Sequence, residues 1–255
     1  MNFDHPAFAP YSDLIKALGL TRALPTLDAL NARSIALGTT QAHGLSLQFV
    51  APESLASGGR LSARAYETHI LKTGQVPTRP DTWHDVLNAL VWLRFPRFKS
   101  ALNRAHGEAI ATEIDSRRGR RRDAMTVLDE SGIWVISPTP ELPQLLSERA
   151  WQAVFWEQRQ AVESTMDFVV VGHALLEKAL TPYPSITGKC LMLTTQTGDL
   201  NRIEQVATVA LEPIDSPRQL APLPIQGVPG WDVNNSRADY YANTEIFRVP
   251  DATGS

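Results

Sequence analysis

A helical apolar pattern between residues 82 and 110 is divided by a proline, and this feature most constrains the fold. Thr82 is a good N-cap with Asp85 in the capping-box position, so the first half predicts an amphipathic helix that ends before Pro96. Proline lacks an amide donor and is favoured at the first position of a helix. Pro96 therefore predicts the start of a second helix that continues to Ile110.

The period changes after residue 124. Two apolar runs at 125–128 and 133–136 flank Asp129-Glu130-Ser131-Gly132, which predicts a β-hairpin with a glycine-containing turn. Phe168 to Val171 fits either a short strand or the start of a helix that includes Gly172 to Leu180, and periodicity does not decide between them. Gly188 to Thr194 predicts a further strand, in which Cys190 is buried.

Shorter helical patterns precede and follow these segments, at Tyr11 to Leu18, Leu27 to Ile35, Arg64 to Leu71 and Asn201 to Leu211. A possible strand lies at Leu45 to Val50, and Ser57-Gly58-Gly59 indicates a loop. We therefore predict an α+β fold: a helix-rich single domain over 1–255, with a small antiparallel sheet built on the hairpin near 125–136. Frequent prolines predict an irregular C-terminal tail from about Pro213.

Composition excludes several classes of protein. A net charge of −3 gives no overall attraction for nucleic acid or anionic membranes, and no apolar run approaches the roughly 20 residues that a membrane span requires. The N-terminus lacks a secretory signal and the single cysteine fits a reducing compartment, so we expect a cytoplasmic protein. The sequence also lacks the GxxxxGK[ST], GxGxxG, HExxH and GxSxG motifs, which argues against the commonest nucleotide, zinc-protease and esterase sites.

Two sets of polar residues share helix faces in the proline-divided region. His84 and Asn88 are four residues apart on the first helix, and Lys99, Asn103 and His106 share a face of the second. If the helices pack against each other, these side chains can meet and hold a metal or a phosphate. The alternative is that Asn103 and His106 face solvent, while His84 bonds a backbone carbonyl.

His173 and Glu177 form another pair at helical spacing. If Gly172 is a turn from strand to helix, His173 lies at the helix N-terminus, where the positive end of the dipole lowers its pKa. A neutral imidazole there suits a general base or a metal ligand. The alternative is a structural histidine, with Glu177 paired to a basic residue on the surface.

Charged residues near the predicted hairpin also allow two interpretations. Five arginines within six residues, the arginine cluster, can neutralise the phosphates of a ligand, RNA or DNA, or can form a solvated connection: Arg117, Arg118, Arg120, Arg121 and Arg122. Asp129 and Glu130 can act as a carboxylate pair in acid–base or metal chemistry. Residues of these types are more common as turn residues, and we assign them that role.

Five motifs, in the same order, resemble the proteobacterial family named domain of unknown function 3025. They are Thr82-Trp83-His84-Asp85 with Asn88-Ala89-Leu90-Val91-Trp92, Phe95-Pro96-Arg97-Phe98-Lys99, Arg122-Asp123-Ala124 with Asp129-Glu130-Ser131-Gly132, Gly172-His173-Ala174-Leu175-Leu176-Glu177-Lys178, and Gly227-Val228-Pro229-Gly230-Trp231. The resemblance extends from about Tyr66 to the C-terminus and implies a bacterial, cytoplasmic protein. It implies no activity, cofactor or catalytic residue.

Our functional hypothesis is one pocket near the arginine cluster that binds a phosphorylated or other anionic ligand, with a divalent metal assisting phosphoester hydrolysis. The expected catalytic residues are His173, Glu177 and His84, and the expected metal ligands are His84, His106 and His173. The expected ligand-binding residues are Asn88, Lys99, Asn103, Arg120, Arg121 and Arg122. The alternative is a non-catalytic protein that docks on nucleic acid or an acidic partner through the arginine cluster. The oligomeric state stays open.

Overall fold

A computed structural model gives the structure of residues 2–40, 44–52, 61–113, 118–196 and 198–249, and all structural statements concern these residues. Its α-helices are α1 (Ser12–Leu18), α2 (Leu27–Leu37), α3 (Ala63–Thr73), α4 (Trp83–Arg94), α5 (Pro96–Thr112), α6 (Arg120–Ser131), α7 (Glu141–Ser147), α8 (Arg159–Thr165), α9 (His173–Ala179) and α10 (Leu200–Ala210). The strands are β1 (Gln48–Val50), β2 (Gln75–Pro77), β3 (Gly132–Ser137), β4 (Asp167–Val170), β5 (Thr187–Thr194) and β6 (Pro222–Pro224). The helix-rich α+β class expected from the sequence is confirmed.

The main sheet has four strands in the order β4-β3-β5-β6. β3 pairs antiparallel with β4 and parallel with β5, and β5 pairs antiparallel with β6, so the sheet is mixed rather than purely antiparallel. Every residue of β3 is buried, as expected for a central strand covered on both faces. β1 and β2 form a separate parallel pair.

The predicted hairpin at 125–136 is wrong. Residues 125–128 belong to α6, and only the second apolar run forms a strand, β3, which begins directly after the helix at Gly132. The residues that α6 buries include Ala124, Met125 and Leu128, a spacing of three and four residues that is typical of a helix. Asp129 and Glu130 are therefore in the last turn of a helix and are not hairpin-turn residues.

The proline-divided region folds as predicted. Thr82 caps α4 by accepting a hydrogen bond from the backbone amide of Asp85, and Pro96 is the first residue of α5. The carboxylate of Asp85 does not complete a capping box, because it accepts bonds from the backbone and guanidinium of Arg79 instead. Cys190 is buried in a strand, as predicted.

The apolar segment near residue 170 serves both elements considered for it. β4 ends at Val170, and α9 begins at His173 after the extended residue Gly172. After residue 213 the chain forms 3-10 turns and β6, and Leu223, Ile225 and Phe247 are part of the core. Ser57-Gly58-Gly59 lies outside the described residues.

Helices pack around the sheet and bring distant parts of the chain together. α4 packs against α9, α5 against α3 and α6, and α6 against α9. The C-terminal end of α6 and the N-terminal end of α9 thus lie beside the first turn of α4. Among the described helices, none is both long enough and apolar enough to cross a membrane.

Candidate functional site

Two histidines separated by 89 residues meet at the contact between α4 and α9. His84 lies in the first turn of α4 and His173 is the first residue of α9. Their Nε2 atoms are 3.1 Å apart, and the rings are arranged edge to face. The convergence predicted for these two residues is therefore present.

A carboxylate lies behind each imidazole. Nδ1 of His84 is 2.9 Å from Oε2 of Glu177, and Nδ1 of His173 is 3.7 Å from Oδ2 of Asp129. An ionised carboxylate only accepts hydrogen bonds, so Glu177 holds a proton on Nδ1 of His84, and whenever the imidazole is neutral its Nε2 lone pair is free. Glu177 therefore orients His84, and among the described residues it has no ion pair with a lysine or an arginine.

When both histidines are neutral, neither tautomer of His173 satisfies both of its ring nitrogens. A proton on Nε2 would be donated to His84, but it would leave the Nδ1 lone pair buried, without a hydrogen-bond partner and facing the Asp129 carboxylate. A proton on Nδ1 removes that conflict and places two Nε2 lone pairs 3.1 Å apart. A cation between the imidazoles, or a second proton on either imidazole, satisfies both nitrogens.

Burial disfavours a second proton on His173. His173 is 5% exposed, and burial lowers its pKa to about 4 despite the opposing effect of the Asp129 carboxylate. The neighbouring Lys99 and His84 lower this pKa further. The imidazole is therefore neutral near pH 7. The sequence predicted a low pKa from the helix dipole, whereas the largest cause in the structure is burial.

Glu130 completes a group of three ligand atoms. Its Oε2 is 3.6 Å from Nε2 of His173, and one ligand atom from each of His84, Glu130 and His173 lies within 4.8 Å of the others. Burial and the adjacent Asp129 charge raise the pKa of Glu130. Two imidazoles and one carboxylate are a ligand set that divalent transition metals commonly use.

Lys99 and Asp129 form a buried charged pair behind this group. Lys99 is 3% exposed, and its Nζ donates hydrogen bonds to Asp129 Oδ1 and, at 2.8 Å, to Asn88 Oδ1. Burial alone would raise the pKa of Asp129, but Lys99 and then His173 hold it below its usual value. Asp129 is therefore an ionised carboxylate behind His173.

The three candidate ligands line a cavity of about 780 Å³. Other parts of its wall come from α3, α4, α5, α6 and the residues just before α6, and these include Tyr66, Glu67, Asn88, His106, Arg118, Arg122 and Asp129. His106 is 4% exposed, and burial lowers its pKa to about 4. It shares the cavity but lies outside the group of three ligand atoms, in which Glu130 occupies the place predicted for His106.

The other predicted helix-face residues line this cavity or form hydrogen bonds with residues that line it. Asn88 donates to the hydroxyl of Tyr66 at 2.9 Å, so both of its polar groups are engaged. Asn103 is 2% exposed and donates to the carboxylate and the backbone carbonyl of Glu67. Asn103 and His106 are thus buried, and their alternative assignment to solvent is wrong.

The arginine cluster does not act as one surface. Arg117 lies outside the described residues, and Arg120 is exposed at the start of α6. Arg121 donates to the backbone carbonyls of Glu212 and Ile214 and does not line the cavity. Arg122 is buried, pairs with Glu113 and lines the cavity, as does Arg118, which pairs with Asp123. The helical turn separates neighbouring arginines onto different faces, so the single ligand-binding set predicted for Arg120, Arg121 and Arg122 does not form.

Glu67, Asp129 and Glu130 are site residues that the functional hypothesis did not include. Glu67 lines the cavity, and burial followed by the Asp129 charge raises its pKa to about 7. Assigning 125–136 to a hairpin made Asp129 and Glu130 turn residues. The helical spacing of Ala124, Met125 and Leu128 is the signal that would have placed both acids at a helix end.

The fold and the site define a helix-rich α+β protein with a histidine–carboxylate cluster in the wall of a cavity. The chain belongs to the family described as Protein of unknown function (DUF3025), which matches residues 47–250 and so includes every residue of the cluster. Searches of curated proteins and of solved structures give no match.

Proposed function

We propose that the cavity is the active centre of a metal-dependent hydrolase, in which His84, His173 and Glu130 bind one divalent cation. The convergence of two Nε2 atoms and one carboxylate at the cavity wall carries this proposal. Each imidazole has a carboxylate behind its Nδ1, the arrangement that orients metal-binding histidines in many proteins. A cation also resolves the conflict between the two facing nitrogens.

The spacing of the nitrogens fits a metal. Two nitrogens 3.1 Å apart, each about 2.0–2.1 Å from a zinc ion, would subtend roughly 95–100° at the ion. Three protein ligands leave a position for water, as in catalytic rather than structural sites. A metal-bound water loses a proton near neutral pH and becomes a nucleophile.

The proposed substrate is an ester with an anionic group, and phosphoesters are the first class to test. Arg118 and Arg122 line the cavity on the α6 side. Each pairs with an acidic residue, and their guanidinium groups are opposite in charge to a phosphate. A ligand of drug-like size fits in a cavity of about 780 Å³. Burial raises the pKa of Glu67 to about 7, so this carboxyl group can exchange a proton near neutral pH, which favours hydrolysis over simple binding.

Metal content tests the centre directly. Protein purified without an affinity tag, and then loaded with Zn²⁺, Mn²⁺ or Fe²⁺, should retain about one ion per chain by elemental analysis. The variants His173→Ala and Glu130→Gln should lose it. His69→Ala is the matched control, because His69 lies on α3, bonds Gln75 and is not in the ligand group. Equal metal content in all four proteins, or none in any, would refute the centre.

The identity of the metal and the activity complete the test. Loaded protein should hydrolyse p-nitrophenyl phosphate, and the two ligand variants should lose this activity while His69→Ala keeps it. Two histidines and one carboxylate also bind Fe²⁺ in oxygenases. Selective retention of Fe²⁺ with oxygen consumption, and no hydrolysis, would therefore show that the protein is an oxygenase and not a hydrolase.

Docking through the arginine cluster stays a prediction. Exposure of Arg120 is the observation in its favour, and the internal bonds of Arg118, Arg121 and Arg122 reduce the charge available to a partner. Binding to RNA should weaken with rising salt and with Arg120→Ala plus Arg121→Ala. Binding that is absent, or insensitive to salt, would exclude this alternative.

A further inference from the structure

Glu67 differs from the other acidic residues of the cavity. Asp85 pairs with Arg79, Asp129 with Lys99, and Glu130 lies beside His173. Glu67 lines the same cavity, yet within the described part of the chain no cationic nitrogen lies within the 4.0 Å of an ion pair. Its carboxyl group is therefore not committed to a salt bridge.

A neutral amide holds Glu67 in place. Asn103 Nδ2 donates to Glu67 Oε2 at 2.7 Å and to the Glu67 backbone carbonyl at 2.9 Å. The oxygen of a carboxylic acid and that of a carboxylate both accept such a bond. The position of the side chain is therefore compatible with either protonation state, which a group that transfers protons requires.

From this geometry we propose that Glu67 is the general acid of the hydrolase, protonating the oxygen of the alcohol that leaves the phosphoester. The inference rests on the proposed function and assigns one of its steps. Hydroxide supplied by water on the cation would form the new P–O bond while the P–O bond to the alcohol breaks, and Glu67 would give its proton to the alkoxide. Glu67 would then regain a proton from the next water that binds the cation, which would restore the hydroxide.

The groups around Glu67 allow it to hold this proton at neutral pH. Burial and the Asp129 carboxylate raise its pKa to about 7, and these effects exceed the lowering by Asn103, Lys99 and Arg122. A general acid is most effective when its pKa is near the working pH. The wild-type rate with a poor leaving group should therefore fall as the pH rises above about 7.

Two esters with different leaving groups test the role. p-Nitrophenolate leaves without help, whereas phenolate benefits strongly from protonation. Glu67→Gln should lower kcat/KM for phenyl phosphate by about 10²-fold and for p-nitrophenyl phosphate by less than about tenfold. It should also abolish the decline above pH 7, with metal content unchanged. Glu108→Gln is the control, because Glu108 is an exposed residue of α5 paired with Arg104.

Each outcome decides one question. Equal losses for both esters, no loss, or an unchanged pH profile would overturn the role of Glu67 and leave the hydrolase standing. Absence of wild-type turnover of either ester would contradict the hydrolase. Infrared titration then tests Glu67 independently of turnover. A protonated carboxyl band that disappears near pH 7, and is missing in Glu67→Gln, would support a group that holds a proton. Absence of this band would refute that role.

Discussion

Lys99 is a residue whose burial is tolerable only because of its partners. Its ammonium group is almost fully removed from solvent and is bonded to Asp129 and Asn88. Burying a charge without a partner costs several kcal/mol, so each member of the pair depends on the other. Asp129 also faces Nδ1 of His173, which links this pair to the candidate metal ligands.

Replacement of Lys99 tests this dependence. Lys99→Met should lower the free energy of unfolding by roughly 3 kcal/mol, because Asp129 is left as an uncompensated charge. The side chain of Asp129 is 18% exposed toward the cavity, so the cost should lie at the lower end of the range for buried pairs. Urea denaturation measures the change.

Two further variants control the Lys99 result. Lys99→Met combined with Asp129→Asn should cost less than the sum of the single changes, since the orphaned charge is gone. Arg237→Met breaks the exposed pair with Asp239 and should leave the urea midpoint unchanged. Additive effects of the first two changes would show that the pair is not coupled.

At the level of single residues, the sequence indicated the histidines but not their partners. The spacing of His173 and Glu177, and the position of His173 at a helix start, are local properties and were correct. Glu177 was expected to act with His173, whereas it bonds His84, which is 93 residues away. Local spacing cannot reveal such a partner, because it depends on how α4 packs against α9.

Among the elements, the junction that matters most for the site lies where β3 begins and β4 ends. The amides of Val171 and Gly172 both donate to the carbonyl of Gly132. This contact joins the end of α6, which carries Asp129 and Glu130, to the start of α9, which carries His173. A Cβ atom on Gly172 would lie 2.4 Å from the Gly132 nitrogen and 2.6 Å from the Glu130 carbonyl oxygen.

A methyl group at this junction should disturb both stability and the site. Gly172→Ala should lower the free energy of unfolding by about 1–3 kcal/mol, because the backbone of one helix end must move. The same displacement should reduce metal retention. Gly198→Ala is the control, since a Cβ there meets no atom within 4 Å. Denaturation together with elemental analysis checks both effects, and full metal retention in Gly172→Ala would contradict the proposed coupling.

The helices whose beginnings are marked by a capping residue or a proline were predicted correctly. Thr82 and Pro96 mark the beginnings of α4 and α5, so these helices were correct. The turn-type residues Asp129 to Gly132 indicated a hairpin turn, but the first three belong to the last turn of α6 and Gly132 begins β3. Four consecutive apolar and β-branched residues at 125–128 fit a strand equally well, and packing against α5 and α9 decides for the helix.

The whole molecule brings the candidate ligands together from three separate parts of the chain. His84, Glu130 and His173 are on α4, α6 and α9, and the packing of these helices sets their distances. A cation bound there would cross-link the three helices in the folded state only. Binding should therefore stabilise the protein as a whole.

Thermal unfolding measures this stabilisation. At a free metal concentration of 100 times Kd, the gain is about 2.7 kcal/mol, which corresponds to a rise in Tm of roughly 5–10 °C for a protein of this size. The double variant Glu130→Gln with His173→Ala should show no rise, whereas His69→Ala should match the wild type. Equal shifts in all three proteins would place the bound metal elsewhere.

The contact between Gly132 and Gly172 also has a consequence for comparing family members. A larger side chain at Gly172 would meet the backbone at the end of α6, and one at Gly132 would meet the backbone of Leu128, so either would displace the helix end that carries the two acids. If the acid and the histidine bind a metal as proposed, relatives that lack one of these glycines should also lack the acid or the histidine, because displaced ligands would no longer bind it. Such sequences would identify family members that keep the fold but have lost the proposed metal site.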